Sequence, residues 1–242
     1  MNQLKYIVFC LLLLLACSST DEKKYIPQNP NQGTIPVVET MLKKSFLALG
    51  DSYTIGQSVP EKERWSVLLN DLLASKYQIT PHDIIAQTGW TTQELMQGIS
   101  SRNLSQQYDM VSLLIGVNNQ YRGQSLEKYR TEFRELLSIS TKFAKNDAQK
   151  VMVLSIPDWG VSLAGRNNDR AKISREIDAF NEVAQQECKK VGIAFIDITS
   201  ISRQNTDDSM FASDGLHFSG KMHQRWAMKV QSTAETILKI SN

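Results

Sequence analysis

The sequence predicts an α/β domain on a five-stranded parallel sheet, and three observations carry that reading. Five short apolar runs recur, at 45–49, 83–88, 110–115, 151–156 and 193–198. They are continuous rather than alternating, which suits strands covered on both faces. The segments between them place apolar side chains at helical spacing. The length of 242 residues fits one domain, or at most two. Such a chain buries a core large enough to need no metal or disulfide staple.

The N-terminus reads as a targeting segment. Lys5 precedes an unbroken apolar run, Ile7–Ala16, long enough for a signal sequence and too short to span a bilayer. Leu14-Leu15-Ala16-Cys17, followed by Ser18-Ser19, resembles the lipobox of bacterial lipoproteins. That resemblance implies a signal peptide over 1–16, cleavage before Cys17, lipid on Cys17 and a place in a bacterial cell envelope. An ordinary secretory signal or a simple membrane anchor is the alternative. Residues 17–43 carry Pro27, Pro30 and Pro36 among Ser, Asn, Gln and charged residues. Such a stretch is an extended linker that would hold a folded domain off a membrane.

The domain is expected over 44–242. Ser45–Leu49 is stopped by Gly50, Asp83–Thr88 by Gly89, Met110–Ile115 by Gly116 and Val151–Ile156 by Pro157; Ile193–Ile198 is the fifth strand. Helical stripes lie between and after them: Trp65, Leu68, Leu69, Leu72 and Leu73; Tyr129, Phe133, Leu136, Leu137 and Phe143; Ile173, Ile177, Phe180 and Ala184; Met222, Trp226, Val230, Ile237 and Leu238. These stripes read as core. Thr91 with Glu94 has capping-box spacing, and Ser125 and Ser219 are expected N-caps. With Cys10 in the signal and Cys17 lipidated, only Cys188 remains, read as a small buried apolar side chain.

Composition excludes several functions. Lys and Arg number 27 against 25 Asp and Glu, a net charge of +2, which argues against a nucleic-acid binder. No C-x-x-C pair or H-x-x-x-H occurs, so no metal site is expected. A phosphate-binding G-x-x-x-x-G-K-[ST] is also missing. No cofactor is implied.

In open parallel sheets, ligands bind outside the carboxyl ends of the strands. Four blocks fall there: Gly50-Asp51-Ser52-Tyr53, Gly89, Gly116-Val117-Asn118-Asn119, and Ser213-Asp214-Gly215-Leu216-His217-Phe218. A serine becomes a nucleophile when a base takes its proton, and histidine is the side chain with a suitable pKa. His82 would begin the second strand, at the opposite rim. His223 lies inside the last helix, as a surface or half-buried residue. His217 sits in the loop before that helix, where Asp214 can turn back to accept Nδ1–H and leave Nε2 facing Ser52. A turn capped by Ser219 is the alternative reading of that block. Gly89 alone fits a turn, and Asn118 alone an Asx-turn. Asp51 reads as a residue that fixes its loop.

With GDSY at 50–53, Gly89, GVN at 116–118 and DGLH at 214–217, in that order, the chain resembles the SGNH hydrolases, the GDSL-type esterases and lipases. The resemblance covers about 44–240. It implies a three-layer, flavodoxin-like α/β/α fold and a serine esterase. Ser52 would attack an ester carbonyl, His217 would move the proton and Asp214 would orient His217. The backbone N–H groups of Ser52 and Gly89 and the amide of Asn118 would hold the oxyanion. The family often has Asp where this chain has Asn119, read here as a lost local charge rather than lost catalysis. Adjacent side chains in an extended segment point opposite ways, so Asn119 is expected to tie its loop.

Trp90, Tyr121, Arg122 and Trp159 follow three of the strands and could border the cleft, the aromatic faces against a sugar ring and Arg122 against a carboxylate or phosphate. Each could equally pack on a loop. The expected substrate is a small-molecule or glycan ester, with a short acyl group on a glycan as one reading. A lysophospholipase or thioesterase using the same residues is the enzymatic alternative, and a catalytically silent, surface-anchored binding lipoprotein the other. Nothing in the sequence speaks to oligomeric state. The anchor is directly testable. Expressed in a bacterial host, the full chain should partition with membranes and incorporate lipid, and Cys17→Ser should abolish that incorporation. Soluble protein cut at another residue would contradict the lipobox reading.

Overall fold

Strand β1 (Leu42–Gly50) is the hydrophobic axis of the molecule, with Phe46, Leu47, Ala48 and Leu49 all fully buried. The computed structural model describes residues 41–240 apart from Asn103, Asn205 and Thr206. The expected signal peptide, Cys17 and the linker up to residue 40 lie outside the described residues. After β1 come α1 (Ser52–Ile55), α2 (Trp65–Leu73), β2 (Tyr77–Ala86), α3 (Thr92–Arg102), β3 (Met110–Leu114), α4 (Val117–Tyr121) and α5 (Leu126–Phe143). They are followed by β4 (Val151–Leu154), α6 (Arg170–Val191), β5 (Ala194–Ile196), α7 (Thr199–Ser202) and α8 (Gly220–Lys239).

The sheet runs β2-β1-β3-β4-β5 with every pairing parallel. The chain moves one way from β1 to β2 and the other way from β2 through β5. Right-handed crossovers therefore put α2 on one face and α3, α5 and α6 on the other. The last helix, α8, packs on α2, and α5 on α6. The direction reverses between β1 and β3, and that reversal opens a crevice at their carboxyl ends. Gly50 of β1 pairs with Leu114 of β3, so the segments that follow both strands emerge side by side. A Cβ on Gly50 would lie 2.2 Å from Thr54 Oγ1 and 2.5 Å from the Leu114 carbonyl. Glycine is therefore needed there for α1 to fold back over the strand ends.

The expected core stripes are buried or packed on the core, and Cys188 is a buried free thiol that burial pushes to about 12. The capping box forms, with Thr91 N–H donating to Glu94 at 2.8 Å and Glu94 N–H to Thr91 Oγ1 at 3.4 Å. Ser125 accepts from Lys128 N–H at 3.2 Å.

Four expectations need correction. Strand β2 begins at Tyr77, not Asp83, because its first half alternates in burial instead of running apolar. It is an edge strand, where Pro81 is tolerated. His82 is consequently mid-strand, stacked on Phe46 with ring centroids 4.9 Å apart, and burial lowers its pKa to about 4. His223 is fully buried rather than at the surface: its Nδ1 accepts the Trp65 N–H that opens α2, at 3.1 Å. Ser219 precedes α8 but caps it with no side-chain bond; its hydroxyl donates to the Ser209 carbonyl at 2.7 Å.

Candidate active site

Helix α1 starts at Ser52, directly off the carboxyl end of β1. Asp51 caps it, accepting from the Tyr53 N–H at 3.0 Å. This serine lines a cavity of about 170 Å³ together with Tyr53, Val117, Asn118, Tyr121, Trp159, Leu216 and His217. The residues come from three strand ends and from the loop before α8.

That loop is closed on itself. Phe211 and Phe218 form an antiparallel bridge, and the Ala212 N–H donates to the His217 carbonyl at 2.8 Å. Within it Asp214 collects four donors. Oδ1 accepts from the N–H groups of Leu216 and His217 at 2.8 and 2.9 Å. Oδ2 lies 2.8 Å from His217 Nδ1 and accepts from Ser58 Oγ at 2.6 Å. Burial raises the Asp214 pKa, but the bonds from Ser58, His217 and Leu216 outweigh it and hold the carboxyl well below its usual range. An ionised carboxylate only accepts, so Nδ1 carries the proton, the tautomer that leaves Nε2 as the base. The ring packs against Tyr53, with centroids 5.9 Å apart and planes at 68°.

Asn118 sits in the first turn of α4, so the segment is helical and not extended as expected. One amide hydrogen of Asn118 goes to the Trp90 carbonyl at 3.0 Å, which fixes the side chain. The amide has a second donor, and the side chain lines the cavity. Asn119 turns away and is fully buried. Its Oδ1 accepts from the Thr92 N–H at 3.1 Å, and its Nδ2 donates to Thr92 Oγ1 at 2.6 Å and Gln124 Oε1 at 3.0 Å. The Thr92 hydroxyl donates instead to Glu132. Asparagine fits here because two acceptors face its amide; a carboxylate would confront both.

Gly89 has φ +86°, a left-handed conformation that favours glycine. Its carbonyl accepts from Arg122 Nη2 at 2.6 Å, and Arg122 Nη1 pairs with Glu94 at 3.1 Å. Arg122 thus clamps the Gly89 turn to the capping box of α3. The Trp90 ring covers Gly98 on α3, where a Cβ would come within 2.2 Å of it. Neither Trp90, Arg122 nor Gly89 is among the residues lining the cavity. Tyr121 and Trp159 are, with ring centroids 5.4 Å apart at 65°. Tyr121 is 65% exposed and Trp159 7%. Trp159 Nε1 donates to Gln120 Oε1 at 2.8 Å, and Gln120 Nε2 to Glu176 at 2.7 Å, so Trp159 is a fixed wall.

Sequence reasoning missed Ser58, Gln57, Val117 and Leu216. Leu216 lies inside a recognised block. Ser58 has no composition or spacing signal. A larger depression of about 630 Å³, lined by Leu137, Thr141, Ala148 and Val191, lies on α5 and α6. Its Glu187 is already held by Arg130, Arg134 and Lys190, and it offers no nucleophile–base pair. Among the described residues no group of three His, Cys, Asp or Glu could hold a metal. No described helix is long and apolar enough to cross a membrane.

A model of the GDSL-like lipase/acylhydrolase family matches residues 48–225. No curated protein matches the sequence. Among solved structures, the crystal structure of TesA is similar over 81% of this chain and 100% of its own, with a TM-score of 0.63 and 18% identity. A lipase/acylhydrolase from Enterococcus faecalis is similar over 82% of this chain and 99% of its own, TM-score 0.63, 19% identity. The acetyl xylan esterase AlAXEase covers 78% of this chain and 98% of its own, TM-score 0.58, 19% identity.

Beside Ser52, burial raises the Asp51 pKa from 3.8 to about 7, against the pull of the N–H groups of Tyr53, Asp51 and Gly116. A carboxyl with a raised folded pKa holds its proton more tightly folded than unfolded. Stability from this group is therefore present below about 4 and lost as pH rises towards about 7. Asp51→Asn should remove that dependence. The melting temperature of the variant minus that of wild type should climb between pH 4 and 7 and level off above. A difference that stays flat across that range contradicts the assignment.

Proposed function

Because the chain belongs to the GDSL-like lipase/acylhydrolase family, we propose that it is a serine esterase that cleaves short acyl groups from carboxylic esters. The observation that carries the reading is the Asp214–His217 contact of 2.8 Å, with His217 and Ser52 lining one cavity. His217 Nε2 takes the proton as Ser52 Oγ attacks the carbonyl carbon. Charge on the carbonyl oxygen is met by the backbone N–H of Ser52 and the second amide hydrogen of Asn118, two residues that line the cavity, with the N–H of Gly89, outside that lining, as the third donor the family resemblance implies. The tetrahedral adduct collapses, the C–O bond to the alcohol breaks, and His217 returns its proton to the leaving oxygen. Water then repeats the sequence on the acyl-enzyme, with His217 as base, and frees Ser52 and the acid.

Acyl size is the finer part of the proposal. The cavity of about 170 Å³ lies below the roughly 300 Å³ at which sites for drug-sized ligands begin. Trp159, clamped by Gln120, closes one side. Tyr121 is exposed at the mouth and offers an aromatic face to an alcohol such as a sugar ring. A glycan O-acyl group is the substrate class that fits both features, and the acetyl xylan esterase among the structural neighbours is in keeping with it. The proposal extends to a lipid on Cys17 that tethers the enzyme in a bacterial cell envelope.

Steady-state hydrolysis of p-nitrophenyl acetate, butyrate and octanoate by the full chain tests both parts. Acetate should be favoured over octanoate by at least about tenfold in kcat/KM, the discrimination available from a few methylenes in a closed pocket. Trp159→Ala should narrow that ratio. Ser52→Ala and His217→Ala should each lower kcat on the order of 10⁶. Retained turnover in Ser52→Ala would put the nucleophile elsewhere. Equal use of acetate and octanoate would remove the acyl-size argument, and no turnover of any ester would favour a silent binding protein.

A further inference from the structure

The segment leaving α1 turns back on the nucleophile's own backbone. The N–H groups of Gly56 and Gln57 both donate to the Ser52 carbonyl, the latter at 2.9 Å. Gly56 has φ +70° and Ser58 φ +62°. Glycine takes that left-handed conformation freely, and a serine does not. The strained residue puts its hydroxyl 2.6 Å from Asp214 Oδ2, across 156 residues of sequence. Behind it, Gln57 Nε2 lies 3.5 Å from Ser58 Oγ, and Thr88 Oγ1 donates to Gln57 Oε1 at 2.5 Å. Thr88 adjoins Gly89. A polar chain therefore runs from the Gly89 turn, through the segment hung on Ser52, to the carboxylate beside His217.

Oδ1 of Asp214 is fixed by two backbone donors of its own loop. Those bonds alone leave the carboxylate free to pivot about Oδ1. Ser58 is the donor from outside the loop that sets the second oxygen, the one that meets His217 Nδ1. We propose that Ser58 is a positioning residue of the hydrolase, holding Asp214 in the orientation that His217 requires. The inference rests on the proposed roles of Ser52, His217 and Asp214. It explains why a left-handed position, where Gly or Asn would be less strained, carries a serine instead. Strain kept at such a place is a cost that function can retain.

The test compares kcat, KM and melting temperature of the full chain and its Ser58→Gly, Ser58→Asn and Asp214→Ala variants on p-nitrophenyl acetate. Ser58→Gly removes the donor and relieves the backbone. It should lower kcat about tenfold, the worth of one net hydrogen bond, with KM within about twofold and melting temperature little changed, because relief of the left-handed backbone offsets the lost bond. Ser58→Asn tolerates the left-handed backbone and brings an amide donor, so it should recover most of the lost kcat. A Ser58→Gly variant with wild-type kcat, or one that loses kcat and melting temperature together, overturns the proposal. So does a Ser58→Asn variant no better than Ser58→Gly. Asp214→Ala separates the two levels. If it lowers kcat while Ser58→Gly does not, the positioning role alone fails. If it leaves kcat unchanged, the roles assigned to Asp214 and His217 fail, and the inference with them.

Discussion

The contact on which the site depends is the packing of the loop before α8 against Tyr53. Asp214 and His217 belong to one loop and can meet wherever that loop goes. Ser52 belongs to α1, more than 150 residues earlier in the chain. What joins them is an aromatic cluster: Tyr53 meets His217, Phe218 and Trp226 at centroid distances of 5.9 Å in each case, and Phe218 meets Trp226 at 5.4 Å. Each such pair contributes about 0.5–1.5 kcal/mol beyond its buried area. Together they seat the base beside the serine that precedes Tyr53 in the chain. The Ser58 hydroxyl adds a polar tie between the same two segments.

The sheet supplies the other half of the geometry. Reversal of strand order between β1 and β3 puts the starts of α1 and α4 next to each other. Ser52 and Asn118 then face one cavity, while Asn119 points back to the start of α3. Arg122 and the Asn118–Trp90 bond tie the Gly89 turn to the same region. Several residues that could have touched substrate serve this bracing instead. Trp90 packs on α3 and Arg122 holds a carbonyl and a carboxylate, whereas Tyr121 and Trp159 remain at the cavity.

Much of this was legible in the sequence because it rests on local chemistry. Buried parallel strands must be apolar throughout, so β1, β3 and β4 announce themselves as continuous runs. Capping at Thr91 and Ser125 follows from side chains within three residues of the helix starts. The four blocks at strand ends are short and ordered, and the Asp214-to-His217 spacing is itself a turn. Elsewhere the deciding partner is remote. The first half of β2 is an edge that alternates and contains Pro81, so no apolar run marks it. Burial of His223 depends on a bond to Trp65, 158 residues away. The helical start of α4 hangs on the Gly116 backbone, and the left-handed Ser58 has no signature in residue type. Where an interaction joins distant segments, the sequence contains both ends but not the fact that they meet.

The central claim is that His217, oriented by Asp214, activates Ser52. Reaction with a fluorophosphonate, followed by mass spectrometry of the peptides, tests it most directly, because only a serine with a base in place reacts readily. The account predicts one adduct per chain, on Ser52, lost in His217→Ala and retained in His82→Ala and in any folded His223 variant. An adduct on another residue, or labelling of Ser52 that persists without His217, would contradict it.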